Sequence, residues 1–449
     1  MPVSAALAPA PPLAPSLPAL RRAAPVLPVV ALIALIGLPK VGDGRATPAD
    51  AACGLLVLWA VVHTARLARR SLTRAAAVVL GLPVIGLAVA ATVTPDSGDG
   101  IVGLVRDIQV FVLVPVAVLL LLRDRRDMRL VAWSVTGLAV WEGGIGVHQY
   151  LTGTGAAYDG EFVRAVGTFG PTEVMGMATV VASGVVAATG LALGSSSQRQ
   201  RIVAAVCALV LLVPLVMSFS RGAWIATVAA CGAQLLLAGV RRAVMVFLAA
   251  AAAGVVLVGG LGVGTALLQE RLGSITQVAD APDQSVLDRY ALWSAAVGMW
   301  RDQPLTGVGL KAFPEYRDSH APLSLQSASD TDGAGHGFYR EPFLSPHNMY
   351  LEVLSEQGLL GLVTVAGSWL ALLVGGLGRL LRTRTAQHGQ DCALVGCGLL
   401  LWQLMDFVYS DVGGGSAALV ALDFGLAAWW ALARDAAPAT TVPPEESPR

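Results

Sequence analysis

Ile202-Val-Ala-Ala-Val-Cys-Ala-Leu-Val-Leu-Leu-Val-Pro-Leu-Val-Met217 runs into Ser218-Phe-Ser-Arg-Gly222 and then into Ala223-Trp-Ile-Ala-Thr-Val-Ala-Ala-Cys-Gly-Ala-Gln-Leu-Leu-Leu-Ala238. Two apolar segments meet at a five-residue polar break. Neither segment alternates with period two, so each reads as a helix that crosses or nearly crosses a hydrocarbon core of about 30 Å. The pair is a membrane hairpin, and Arg221 stands at the membrane edge of its turn, where one side can be solvated. An arginine held in a tight turn on an arginine-poor face is better suited to binding an anion than to setting topology.

The rest of the chain repeats the theme. Of 449 residues, 55% are hydrophobic and 13% charged, and mean hydropathy is +0.67. Soluble domains carry about 25% charged residues, so this composition belongs to an integral membrane protein. About twelve spans are expected: 24–38, 50–65, 75–94, 103–122, 129–150, 172–193, 202–217, 223–238, 243–267, 348–377, 391–409 and 414–433. Lipid leaves no partner for an open backbone, so the fold class is an all-α polytopic bundle.

Arginine orients it. With the N-terminus cytoplasmic, the inner loops hold Arg66, Arg69, Arg70 and Arg74; Arg123, Arg125, Arg126 and Arg129; Arg199 and Arg201; Arg241 and Arg242; and Arg379, Arg382 and Arg384. The outer loops near 95–100 and 410–413 hold none. This alternation puts both termini in the cytoplasm and the Arg221 turn on the extracytoplasmic face. Formal net charge is +0, which gives no argument for nucleic acid. The five cysteines (53, 207, 231, 392 and 397) fall inside expected spans and read as small core residues. Residues 1–23 form a Pro/Ala-rich leader without the basic start of a signal peptide, and 434–449 a polar tail; both are expected to be disordered.

One segment breaks the rhythm. Residues 268–346 form an extracytoplasmic loop between the helices of 24–267 and those of 347–433, and a loop of that length is usually functional. Within it, Asp288–Arg301 places Leu292, Ala296 and Met299 near one helical face, with Trp293 and Trp300 beside it, as in a helix at the headgroup interface. Pro304-Leu-Thr-Gly-Val-Gly-Leu-Lys-Ala-Phe313 reads as a turn entering a further short element. The Ser/Asp/Gly-rich stretch 324–337 reads as a mobile loop. Its Asp330-Thr-Asp332 has the Asp-x-Asp form of metal-using transferases, but a solvated loop accounts for it better, and no metal is expected.

The loop closes on Ser345-Pro346-His347-Asn348, which reads as a helix start with Ser345 as N-cap and Pro346 at the first position. His347 would then stand in the first turn, with free amides and the positive helix end beside it, an arrangement that suits phosphate. Arg221, Arg289, Arg164 and Arg106 fall on the same face, with Ser220, Asn348 and Glu356 in support. Arginine keeps its charge and grips phosphate oxygens with two parallel donors, so such a cluster suits a diphosphate.

Three ordered stretches carry a family resemblance: Arg164-Ala-Val-Gly-Thr-Phe-Gly-Pro171, Ser218–Gly222, and His347-Asn348 followed by Leu351, Glu356 and Gly358. Over about residues 100–430 the chain resembles the O-antigen ligase and polymerase family of bacterial membrane glycosyltransferases. The resemblance implies a C-type glycosyltransferase fold in the inner (plasma) membrane. It implies a polyprenyl-diphosphate-linked glycan as donor, such as an undecaprenyl diphosphate, a glycan or lipid-glycan acceptor, and no cofactor. By the same resemblance His347 is the general base, and Arg221, Arg289 and Arg164 hold the donor diphosphate.

A transporter or flippase for a lipid-linked glycan or small anion is the alternative. It would set charges along a path through the bilayer, and Glu142, Glu173, Asp406 and Asp423, at or inside expected spans, are the residues that keep it open. Polymerase and ligase share these motifs, so the sequence does not separate them.

Overall fold

A computed structural model describes residues 24–39, 47–67, 72–95, 98–158, 162–170, 173, 175–241, 243–245, 284–322, 325, 329–333, 336–341, 343–383 and 390–433. The leader, the tail and nearly all of the ninth expected span (243–267) lie outside the described residues. The helices are α1 Leu27–Ile36, α2 Pro48–Leu67, α3 Arg74–Ala91, α4 Gly98–Leu121, α5 Arg125–Thr152, α6 Gly176–Gly194, α7 Gln198–Met217, α8 Arg221–Ala238, α9 Gln284–Asp302, α10 Phe313–His320, α11 Met349–Thr383, α12 Gln390–Asp406 and α13 Ala417–Leu432.

Among the described residues, nine helices are long and apolar enough to cross a membrane; α13 joins that set through the short turn Gly414–Ser416 that opens it. Two expected spans fall short. α1 is ten residues long, and α12, at seventeen, covers about 25 Å at 1.5 Å per residue. Nearly every α12 side chain is buried, so its length is set by neighbouring helices rather than by the bilayer.

Small residues let the helices approach closely. A Cβ on Gly184 of α6 would clash with the Ala139 Cβ of α5 at 2.1 Å, so the contact needs glycine, as small residues are needed at close membrane helix interfaces. α4 is interrupted by a π-turn at Gln109–Leu113. Pro115 lacks the N–H that would close the next helical bond, and the wider turn absorbs that loss.

Charge divides the two ends of the bundle. Arg129 pairs with the buried Asp391, Arg123 with Asp127 at 2.9 Å, and Arg379 donates to the carbonyls of Trp430 and Ala433. These groups share one end, and the His347 end is opposite.

The departure from helix is a small antiparallel sheet in the order β2-β1-β3-β4, formed by β1 Ala156–Tyr158, β2 Phe162–Arg164, β3 Ser329–Gly333 and β4 His336–Glu341. Its register pairs Ala157 with Val163 and with Asp332. The Asp330-Thr-Asp332 stretch, expected to be loop, is therefore a strand, because the loop before α6 supplies an edge for it to pair with.

α11 is broken at Gly358, whose φ of 65° and ψ of −167° belong to glycine alone. The 304–309 stretch stitches the break. Val308 and Gly309 donate to the carbonyls of Ser355 and Glu356 at 2.9 and 3.0 Å, and Leu359 and Leu360 donate to those of Pro304 and Leu305. The carbonyls and amides released by the kink are thus paired with backbone rather than left bare in the bundle.

Gly358→Ala should unfold this junction. Its Cβ would meet the Leu305 carbonyl carbon at 2.3 Å, on top of about 1–3 kcal/mol of backbone strain. Thermal unfolding in detergent should show a large loss of stability, and a wild-type midpoint would refute the stitched-break account.

Candidate functional site

α11 does not begin where its serine and proline suggest. Its first residue is Met349, and Asn348 is the cap: Asn348 Oδ1 accepts from the Leu351 N–H at 3.0 Å. Asparagine is at least as good a cap as serine, and Ser345 is engaged elsewhere, with its hydroxyl on Asp411 and the His347 N–H on its oxygen. His347 therefore stands outside the helix, in left-handed backbone at φ 49°.

The free helix amides expected at this mouth are also taken. Met349 N–H donates to the carbonyls of Phe407 and Ser410, both at 2.9 Å, and Asn348 Nδ2 donates to the Val408 carbonyl. The α11 start is plugged into the end of α12, so the helix dipole faces peptide carbonyls and not an anion site.

What lies beside His347 is Asp411. His347 Nδ1 is 3.6 Å from Asp411 Oδ2, with the imidazole about one-third exposed. Burial works against the Asp411 charge. The hydrogen bond and charge of His347, the Ser345 hydroxyl and the nearby Lys311 outweigh it and hold the carboxyl well below the usual carboxylate range. Sequence reading missed this residue. The available signal was an acid in a short loop free of arginine, on the same face as His347.

The 406–411 turn is the hub of the site. Arg289 of α9 lies within electrostatic reach of Asp406. Gly222, next to Arg221, packs against Tyr409, with room for a Cβ only 3.0 Å from the Tyr409 Cβ. Trp293 of α9 donates to the Pro346 carbonyl at 3.0 Å, which ties α9 to the residue before His347. The α9 face anticipated from Leu292, Ala296 and Met299 is buried against Val308, Ala312, Phe313 and Phe343.

Arg221 is the exposed first residue of α8. Ser220 is its N-cap, with its hydroxyl oxygen accepting from Ala223 N–H at 3.4 Å. Arg164 joins this turn, as Nε donates to the Ser218 carbonyl at 2.6 Å and Ala165 N–H to Met217. Its guanidinium thus fastens the turn that presents Arg221. Arg106 pairs with Asp50 of α2 at 3.6 Å and also acts electrostatically on its neighbour Asp107.

The four acids that kept a transport path open have local partners. Glu142 accepts from the Thr168 backbone and hydroxyl at 2.9 and 2.8 Å, and with Gln149 it holds the Gly167-Thr168 turn. Glu173 accepts from Gly415 N–H at the opening of α13. Ser183 donates to Asp423 at 2.9 Å, and Ser410 donates to Asp406.

Glu356 is buried and not part of an open mouth. It accepts from the backbone N–H groups of Lys311 and Phe313, at 2.9 and 3.3 Å, and so fixes the loop that enters the α11 break.

No curated protein matches the chain. A family model described as O-Antigen ligase matches residues 203–366, from α7 into α11, a segment that holds Arg221, Arg289, His347 and Glu356 but not Arg106, Arg164 or Asp411. That match makes this central segment similar to the O-antigen ligase family and supports assigning the chain to it.

Proposed function

We propose that this protein transfers a glycan from a polyprenyl-diphosphate donor to an acceptor hydroxyl at the extracytoplasmic face. The observation that carries the reading is the half-open His347–Asp411 pair, set on the same 406–411 turn that Arg289 and the Arg221 turn approach. With Nδ1 turned toward Asp411, Nε2 is the nitrogen that serves the acceptor in this reading. The acceptor O–H gives its proton to Nε2 while its oxygen forms a bond to the anomeric carbon. The bond from that carbon to the diphosphate oxygen breaks, and Arg221 and Arg289 stabilise the departing charge. A single displacement of this kind inverts the anomeric centre.

Asp411 orients the imidazole and stabilises its protonated form, as the carboxylate of a catalytic triad does. Arg164 shapes the Arg221 turn. Because the arginines supply the positive charge, the mechanism needs no metal.

Asp411→Asn should lower transfer strongly, up to about 10⁴-fold, the cost of the same change in a catalytic triad. Loss of the neighbouring anion makes His347 harder to protonate, so the acid limb of the pH profile should move to lower pH. An unmoved limb would remove Asp411 from the mechanism.

The function itself is tested by the lipid-linked glycans that build up in cells carrying His347→Ala. Accumulated single repeats mean a polymerase, and accumulated long chains a ligase. Build-up confined to the cytoplasmic leaflet would overturn the transferase reading in favour of a flippase.

A further inference from the structure

Among the described residues, three non-glycine residues have left-handed backbone: Phe219, Lys311 and His347, at φ 52°, 55° and 49°. Two are already placed, since Phe219 forms the Arg221 turn and His347 is the candidate base. Such strain collects at functional sites because surrounding contacts must hold it in place. Lys311 is the third, and the transfer mechanism does not use it.

Its surroundings are built. The ammonium is bonded to Glu352, a side chain only 4% exposed on the first turn of α11. The backbone N–H is bonded to Glu356. Asp107 of α4 lies in its field, as does Asp411. The aliphatic stem lies over Gly103, where a Cβ would meet Lys311 Cγ at 2.5 Å. Four carboxylates therefore gather around one ammonium: Asp107, Glu352, Glu356 and Asp411. Arg106, paired to Asp50, acts on Asp107 from the other side. Glu352 keeps one buried oxygen without a hydrogen-bond partner, so its charge rests heavily on Lys311.

We propose that Lys311 is a positioning residue for transfer: its ammonium, held on Glu352, offsets the Asp411 charge beside His347 and fixes the short helix Met349–Gln357 that follows His347 directly. The proposal rests on His347 acting as base. Without Lys311 the Asp411 charge loses a cation that offsets it, which makes the imidazole easier to protonate, so the base is blocked at neutral pH and released only at higher pH. This shift is opposite in sign to that expected for Asp411→Asn.

The test uses membranes of cells whose own copy is deleted, charged with their endogenous lipid-linked glycan and assayed from pH 5.5 to 9. Lys311→Met should lose about tenfold in transfer near pH 7, the effect of a one-unit displacement of the acid limb to higher pH, and recover as the pH rises. Lys311→Arg should restore most of the activity at pH 7. Lys311→Met with Glu352→Gln, which removes one charge of each sign, should bring the limb back toward the wild-type position. This double variant also answers the question if the single variant fails to insert.

Equal loss at every pH, or a double variant whose limb stays displaced, would overturn the proposal. Wild-type behaviour of Lys311→Met would do the same. His347→Ala is run alongside: if it transfers normally, the base assignment has failed, and the Lys311 proposal falls with it for that separate reason.

Discussion

Replacing His347 with alanine should leave a folded, inserted protein whose glycan transfer falls by about 10²–10⁴-fold, the usual contribution of a general base. Stability should change little, because the imidazole is about one-third exposed and packs edge-on against Phe343, at 6.4 Å between ring centroids, beside Asp411. The start of α11 does not depend on it, since Asn348 caps the helix and Met349 bonds Phe407 and Ser410.

The left-handed backbone sharpens the comparison. At φ 49° alanine is as strained as histidine, whereas glycine is relaxed. His347→Gly should therefore be the more stable of the two variants and equally inactive. Transfer is read from surface glycan and lipid-linked precursor, stability from unfolding in detergent. Normal glycan from either variant would remove His347 from the chemistry.

The second large effect is expected at Arg221. Arg221→Lys keeps the charge but loses the forked pair of donors that matches two phosphate oxygens. Transfer should fall by about 10²-fold, the lower end of the cost of losing a donor to developing charge. Fold should survive, since Ser220 still caps α8 and Gly222 still packs on Tyr409.

Arg221 also occupies the first position of α8, where the helix dipole disfavours a cation by about 0.3–1 kcal/mol. Arg221→Gln should accordingly be slightly more stable than the wild type and inactive. A neutral variant that is both destabilised and active would mean the arginine serves the fold and not an anion.

The legible part of the candidate site was its list of charged groups. Arg221, Arg289 and His347 stand in polar breaks of an apolar chain, where a charge needs a reason. Their partners were not legible. Ser345-Pro346 reads as a helix start in isolation, yet Ser345 is drawn to Asp411, 66 residues away, and the cap passes to Asn348. Arg164 reads as a diphosphate ligand from its place in the arginine cluster and its motif, but that its Nε fastens the Ser218 carbonyl, 54 residues away, is nothing a local pattern announces. Glu142 looked like a transport group inside a span, but the Thr168 turn folds back to cover it.

Span length, apolar composition and the arginine alternation are local properties of the chain, so the sequence alone determined a polytopic helical bundle with basic loops on one side. The tertiary structure decided the rest: the His347–Asp411 pair, the break at Gly358 stitched by residues 304–309, and Lys311 among its carboxylates. Each of these pairs groups more than 40 residues apart, and in lipid a polar group takes whichever partner packing brings near, because water is not there to satisfy it.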